Sequence, residues 1–353
     1  MVSKSEEGAT PAAGAGAIAG ARGTATPRLE SVTPKKSPGY SARAWRRFRR
    51  NKLSLVALCI FALITLISFS APLVSKFITK QDPASQSLMT KLAKPGSTVQ
   101  TIKIGGPQSG QRVTQKHWLG SDELGRDVLT RLVYGGRISL SVAFITLILA
   151  LTIGLLIGSA AGYFGGWTDS ILMRAVDVVI SVPSLFILIL ISSMLNNNQL
   201  VTRSAIYTNY GWLLLPFVIA AFSWTGISRL IRGEFLSLKS RDYVEAARVL
   251  GATNGRIIFR HILPNVVPII IVWATLIVPG LIILEATLSY LGFGVQIPTP
   301  SWGNMLTNAN EFLLNPKGRF LMFIPGITIF ITALMVNLLG NGLRDALDPR
   351  LND

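Results

Sequence analysis

Residues 241–264 read RDYVEAARVLGATNGRIIFRHILP and separate two long apolar segments. The first half of this stretch predicts a short helix, because an acidic residue opens it and Gly251 supplies a left-handed stop. Ala246 and Ala247 are predicted to give the helix one flat side of small residues. Such a helix can fit a groove on another protein, where Glu245 would accept from a basic group. The alternative interpretation is an ordinary loop helix at the membrane interface.

The composition is typical of a polytopic membrane protein. Half of the 353 residues are hydrophobic, the mean hydropathy is +0.47 and only 14% of the residues are charged, whereas soluble domains carry roughly 25% charged residues. The net charge of +17 does not indicate a nucleic-acid partner. Its basic residues crowd segments that flank apolar spans, as in membrane proteins, and no basic patch is interleaved with aromatics on a polar face.

The N-terminal region divides into a polar tail and a membrane entry. Residues 1–40 are rich in Ala, Gly, Ser, Thr and Pro, and we expect a disordered cytoplasmic tail without a signal peptide. Residues 41–75 are predicted to form an interfacial segment and the first span. The segment SARAWRRFRRNK places arginines at lipid headgroups, with Trp45 and Phe48 entering the interface. Such a basic cluster favours a cytoplasmic N-terminus.

Six apolar segments are long enough to span a bilayer core of about 30 Å. They cover approximately residues 53–74, 138–163, 171–195, 211–231, 266–284 and 320–339. In the second segment Gly154, Gly158, Ala160, Ala161 and Gly162 predict close packing on another helix. Pro183 should kink the third segment. Six spans place both termini on one side, which the basic segments identify as the cytoplasm.

Residues 76–136 are predicted to form an extracytoplasmic loop followed by an amphipathic elbow helix. The helical spacing starts at Asp122, with Ser121 as the expected N-cap. Asp127 and Arg131 stand four residues apart and are expected to pair. A carboxylate active site on Asp122, Glu123 and Asp127 is disfavoured, because no nucleophile or metal-ligand set accompanies them.

Charged residues within the spans suggest either structural or transport roles. Arg174 and Asp177 stand three residues apart in the third span. Intramembrane charges usually face protein or water, so the two form a structural charge pair or line a path through the membrane, and we favour the pair. Glu285 either caps the fifth span or faces a cavity. Residues 286–319 are expected to form a rigid extracytoplasmic loop, with a partly re-entrant loop as the alternative, and Trp302 is expected at the membrane interface.

The sequence contains no pattern that indicates a catalytic or metal site. It has no GxxxxGK[ST] phosphate loop and no Ser/His/Asp, Cys/His or HExxH arrangement. Cys59 is the single cysteine, and His117 and His261 share no ligand spacing. We therefore predict that the chain is not an enzyme and holds neither metal nor cofactor. Any energy-coupled work would need a partner.

Several segments together resemble the membrane subunits of ABC importers of the dipeptide, oligopeptide and nickel class, specifically the C-type permease. The resemblance covers roughly residues 41–353 and rests on RRFRRNKLSLVAL, HWLGSDELGRDVLTRLVYGGRISL, the loop 241–264, LSYLGFGVQIPTPSWGNML and NLLGNGLRDALDPR. It implies an all-α polytopic membrane protein of the ABC type I importer permease fold, with six transmembrane helices. Residues 137–353 would form the permease core, with a cytoplasmic coupling helix in the EAA loop 241–264.

The resemblance also implies partners and a docking site. The partners would be a second permease, two ATPase subunits that bind ATP, an extracytoplasmic substrate-binding protein and the lipid bilayer. Glu245, Ala246, Ala247 and Gly251 would dock the ATPase. His261 replaces an aliphatic residue of the general pattern, and an Asn replaces a common Asp at position 341.

The leading hypothesis is a permease subunit for di- and oligopeptides in the cell membrane. A nickel-chelate importer permease of the same class is the alternative, weakly disfavoured by the scarcity of His, Met and Cys clusters in the spans. A stand-alone channel or secondary transporter is a further alternative, which would make the exposed Ala-Ala helix incidental. An intramembrane enzyme lacks a catalytic constellation.

Overall fold

The computed structural model describes residues 40–102, 110, 112–204 and 210–347. The prediction of disorder for the N-terminal tail therefore lies outside the described residues. The α-helices are α1 Tyr40–Arg50, α2 Lys52–Phe69, α3 Ala71–Leu73, α4 Val128–Phe164, α5 Gly166–Ser181, α6 Ser184–Asn197, α7 Gln199–Thr202, α8 Leu214–Leu238, α9 Asp242–Val249, α10 Asn254–Arg256, α11 Leu263–Tyr290, α12 Ala309–Leu314 and α13 Arg319–Leu347. Strands β1 Ser97–Ile102 and β2 Arg112–His117 form an antiparallel hairpin. Short 3-10 turns occupy Leu88–Thr90, Gly211–Leu213 and Asn304–Leu306, and π turns occupy Val74–Thr79 and Ile257–Ile262.

The described part of the chain confirms the prediction of a polytopic membrane protein built mainly of α-helices, with the β1–β2 hairpin as an unpredicted addition. Five helical segments are long and apolar enough to cross a bilayer, and α5 with α6 makes a sixth span if the bent pair counts as one. The pair bends by 79° where Val182 and Pro183 interrupt the helix. The expected kink at Pro183 is thus a complete break, because proline lacks the N–H that a continuous helix needs.

Helices α4 and α8 form the most extensive helix pair of the bundle. The small residues predicted to allow close packing lie at this contact: Gly154 faces Ile227, Gly158 faces Ser228, and Gly162 faces Phe235. A Cβ atom on Gly158 would stand 2.5 Å from the carbonyl oxygen of Ser228. The pair therefore needs glycine there, as expected for close helix packing in lipid.

The hairpin end of the bundle, where β1 and β2 lie, differs from the expected elbow helix. Residues 122–127 form a turn, and α4 begins only at Val128 with Asp127 as its N-cap, accepting from the backbone N–H of Thr130 at 2.8 Å. The predicted N-cap Ser121 is instead held in the turn, where its hydroxyl accepts from Ala93 N–H at 2.8 Å. Gly125 adopts a φ of +70°, and this conformation ends any helical run from Asp122.

The predicted pair of Asp127 and Arg131 is also wrong. Asp127 contacts His117 of β2, with 3.1 Å between Oδ1 and Nδ1, and both side chains are fully buried. Arg131 instead lies 3.6 Å from Asp122, which is paired with Arg126 at 2.6 Å. The N-cap of α4 thus contacts strand β2 of the hairpin directly.

Residues 291–303 fold back into the bundle instead of lying at the membrane interface. Trp302 is almost fully buried in the main core, and its Nε1 donates to the Leu132 carbonyl at 2.9 Å. Its expected interfacial position is therefore wrong. Glu285 neither caps α11, which continues to Tyr290, nor is exposed. It is buried and accepts from the Ser289 hydroxyl at 2.7 Å, directly below this loop.

The basic helix α1 packs on the end of α13. Phe48 is buried beside Gly342, whereas Trp45 is exposed. Of the two aromatics expected to enter the interface, Phe48 therefore packs inside the protein. In the next helix, α2, the Ser54 hydroxyl donates to the Leu338 carbonyl of α13 at 3.4 Å. Helix α1 thus attaches to the core through α13, whereas α2 packs on both α13 and α4.

Candidate functional site

The predicted short helix is present as α9, Asp242–Val249, and we call the end of the bundle that carries it the short-helix end. Its N-cap Arg241 has extended backbone angles, and two carboxylates occupy the first turn, where the helix dipole stabilises negative charge. Gly251 follows the C-cap with a φ of +82°. Its N–H donates to the Arg248 carbonyl and the N–H of Ala252 to the Ala247 carbonyl, both at 3.0 Å. This pair of bonds is a Schellman motif, so the predicted glycine stop is confirmed.

One face of α9 is buried against the bundle. Val244 is fully buried and belongs to a core cluster with Phe235 of α8 and with Ile257 and Ile262 of the following π turn. Ala247 lies on the same face and is only 9% exposed. This packing joins α9 to the ends of both neighbouring spans, α8 and α11.

The opposite face of α9 is exposed and partly apolar. Glu245 and Ala246 are exposed, and Val249 and Leu250 are each 87% exposed. The structure therefore separates the two alanines that the sequence suggested as one flat side. Because consecutive residues of a helix are about 100° apart, Ala246 faces solvent while Ala247 faces the bundle. A partner would meet Glu245, Ala246, Val249 and Leu250.

A hydrogen bond that the sequence did not suggest ties this region to α4. The Tyr163 hydroxyl donates to Asn254 Oδ1 at 2.8 Å. Tyr163 is the penultimate residue of α4 and is largely buried, and Asn254 opens α10, just after the turn that ends α9. Three spans, α4, α8 and α11, thus converge on the short-helix end. An Asn three residues beyond the predicted stop at Gly251 was too weak a signal to identify this contact.

The predicted charge pair of Arg174 and Asp177 is not formed. Asp177 of α5 instead accepts a hydrogen bond from Arg229 of α8. Within the described residues no ion pair or hydrogen bond of the Arg174 side chain is recorded. A second pair joins the same helices, where Arg232 makes two hydrogen bonds to the Asp169 carboxylate. Both ion pairs thus join residues of separate helices, α5 of the broken span and α8.

The family model for the binding-protein-dependent transport system inner membrane component matches residues 154–353, which is more than half of the chain. The N-terminal TM domain of oligopeptide transport permease C matches residues 39–95. The chain therefore belongs to the permease family of binding-protein-dependent ABC importers. Members of this family are multi-pass inner-membrane subunits that work with ATPase and substrate-binding partners; they are not enzymes, and ATP hydrolysis lies in the partners.

Curated relatives align over nearly the whole chain. The oligopeptide transport system permease protein OppC of Bacillus subtilis (strain 168) is 37% identical over 90% of this chain and 92% of its own length. The dipeptide transport system permease protein DppC of the same organism is 35% identical over 90% and 88%. OppC of Haemophilus influenzae is 36% identical over 87% and 88%. A chain of the solved MetNI methionine ABC transporter, in an inward-facing conformation, is 18% identical over 62% of this chain and 97% of that one, with a TM-score of 0.47.

Proposed function

We propose that this chain transports di- and oligopeptides together with a second permease, and that α9 is its coupling helix. The exposed face of α9 is the observation that carries the proposal. Val249 and Leu250 expose apolar side chains at the short-helix end, whereas the opposite face of α9 is buried against the bundle. A contiguous exposed apolar patch rimmed by polar residues is typical of a protein interface. The peptide substrate is supported by the oligopeptide and dipeptide permeases that the chain resembles over 90% of its length.

The arrangement suggests how movements driven by ATP hydrolysis in the partner subunits are transmitted to the membrane spans. The ATPase subunit would bind the exposed face of α9. Val244 and the Tyr163–Asn254 hydrogen bond would then transmit its movement to α4, α8 and α11. Such packed contacts move as a unit because protein cores are close-packed. The chain itself binds no ATP and needs no cofactor in this scheme.

The proposed topology places the short-helix end and both termini in the cytoplasm. Exposed arginines surround α9 at positions 241, 248, 256 and 260, and α1 carries further exposed arginines at 46, 49 and 50, as the positive-inside rule requires. The hairpin end would then face the substrate-binding protein. Cysteines introduced by Ser240→Cys and Gln86→Cys should react with an impermeant thiol reagent from opposite sides of the membrane. Labelling of both from the same side would contradict the topology.

Docking is tested by placing a bulkier or oppositely charged side chain on the exposed face of α9. Ala246→Leu should weaken assembly with the ATPase and lower uptake per ATP hydrolysed, because the added side chain points away from the bundle. Glu245→Lys should act in the same direction through reversed charge. Ala84→Leu is the matched control, since Ala84 is exposed at the hairpin end.

The measurement is peptide uptake and ATPase activity of the assembled importer in proteoliposomes. Replacing Gly251 by leucine should also uncouple the two activities, since a side chain is strained at its positive φ. Normal uptake with all three changes would refute the docking assignment.

A further inference from the structure

The charged residues between α5 and α8 form an open cluster. Arg174 and Asp177 stand one helical turn apart on α5, and Arg229 reaches Asp177 from α8. The Asp177 side chain is 62% exposed and that of Arg229 is 49% exposed, and Arg174 is exposed as well. Two cations therefore accompany one anion. The cluster carries a net charge of about +1 when all three groups are ionised.

The neighbouring pair of Asp169 and Arg232 is closed by comparison. Its side chains are 18% and 34% exposed, and both oxygens of the carboxylate accept from the guanidinium. Such a two-pronged contact uses the full geometry of both groups. In the open cluster the Arg229–Asp177 ion pair uses one carboxylate oxygen, and the guanidinium of Arg174 has no recorded partner among the described residues. The closed pair has the form of a structural contact, whereas the open cluster retains donors.

The open cluster lies beside an apolar stretch of α4. Ser228, the residue before Arg229, packs against Gly158 of α4. From Gly158 helix α4 continues to Phe164 without a charged residue. This uncharged segment is about 9 Å long at 1.5 Å per residue. Leu156, at the same level, is an exposed apolar residue. Charges at that depth face water or protein, and the short Asp177 side chain cannot reach the headgroups as a lysine would.

We propose that Arg174 and Arg229 form a subsite for the carboxylate of the transported substrate, on the aqueous path through the permease pair. This inference rests on the proposed peptide function, because every peptide with a free C-terminus carries such a carboxylate. Arginine suits the role, since its planar guanidinium offers paired donors to carboxylates. Asp177 holds Arg229 in place between substrates and prevents an excess of positive charge that would retain the anion. The Asp177–Arg229 contact opens when the substrate carboxylate arrives.

The test compares a dipeptide with its C-terminal amide in proteoliposomes that contain the complete importer. The binding protein has its own preference between the two, but that preference is identical in every preparation. Only the change in the uptake ratio between permease variants therefore counts. Arg174→Gln and Arg229→Gln should each lower the preference for the free carboxylate about tenfold, the typical worth of a charge-assisted hydrogen bond. Arg174→Lys should retain part of it.

Arg232→Gln is the matched control, because it removes one cation from the same helix but from the closed pair. It should leave the ratio unchanged even if total uptake falls. An unchanged ratio in Arg174→Gln and Arg229→Gln, or an equal change in the control, would overturn the subsite alone. Loss of assembly with the second permease in the Gln variants would also overturn it, since the cluster would then belong to a subunit interface. If the unmodified importer took up neither compound, the proposed peptide function would be refuted as well.

Discussion

Replacing Val244 by alanine should loosen the coupling helix without touching its docking face. Val244 is fully buried in the core cluster at the short-helix end. The change removes two carbons, worth about 1.6 kcal/mol at 0.8 kcal/mol each, and leaves a small cavity that adds to this cost. A total of about 2 kcal/mol raises the population of locally opened α9 roughly 30-fold, at a factor of ten per 1.4 kcal/mol.

Hydrogen exchange of the α9 amides measures this effect directly. Exchange should accelerate by roughly the same factor as the local opening, because exchange follows the open population. Val249→Ala is the matched control on the same helix, since Val249 is 87% exposed and its truncation removes almost no internal contact. Val249→Ala should leave exchange in the isolated permease unchanged but weaken its association with the ATPase.

The two valine variants therefore separate internal packing from docking. Val244→Ala should lower the uptake obtained per ATP even where the ATPase still binds, because its movement is no longer transmitted. Equal acceleration of exchange by both variants would refute the two-faced description of α9. So would unchanged exchange in Val244→Ala.

Two further predictions concern the bundle itself. Gly158→Ala should destabilise the permease by about 1–3 kcal/mol, because the added Cβ meets the Ser228 carbonyl at 2.5 Å. Gly280→Ala has nothing within 4 Å and should leave the thermal unfolding midpoint in detergent unchanged or raised; similar losses from both would contradict the packing. Asp127→Ala should cost about 2–4 kcal/mol, because it removes a helix cap and leaves buried His117 without its partner. Asp127→Asn should recover much of this in the same melting assay, and full stability of Asp127→Ala would show that the contact is unimportant.

The sequence predicted the elements that depend on local chemistry. Apolar runs of about 20 residues located the spans, since a bilayer core permits little else. The Gly251 stop was predicted because only glycine adopts that backbone conformation easily. The small residues of α4 correctly indicated a close helix contact. They did not identify α8 as the neighbour, because a pattern within one helix carries no information about its partner.

The errors arose where distant residues decide the outcome. Helical spacing from Asp122 suggested an early helix start, but the turn at Gly125 and the contact of Asp127 with His117 delay it. The partner of Asp177 lies on another helix, 52 positions along the chain, beyond the reach of a spacing argument. The orientation of Ala247 depends on which face of α9 meets the bundle. That choice is made by the hydrophobic cluster around Val244, which assembles from three separate segments.

The unbroken length of α4 has a mechanical consequence. At 1.5 Å per residue its 37 residues extend about 55 Å, well beyond the bilayer core. One end carries the Asp127–His117 contact and the other carries the hydrogen bond of Tyr163 to Asn254. A tilt of about 5° around its centre displaces each end by roughly 2.4 Å in opposite directions. A tilt of the rigid helix can therefore couple a displacement on one side of the membrane to an opposite displacement on the other, without any change in the hydrogen bonds of the helix.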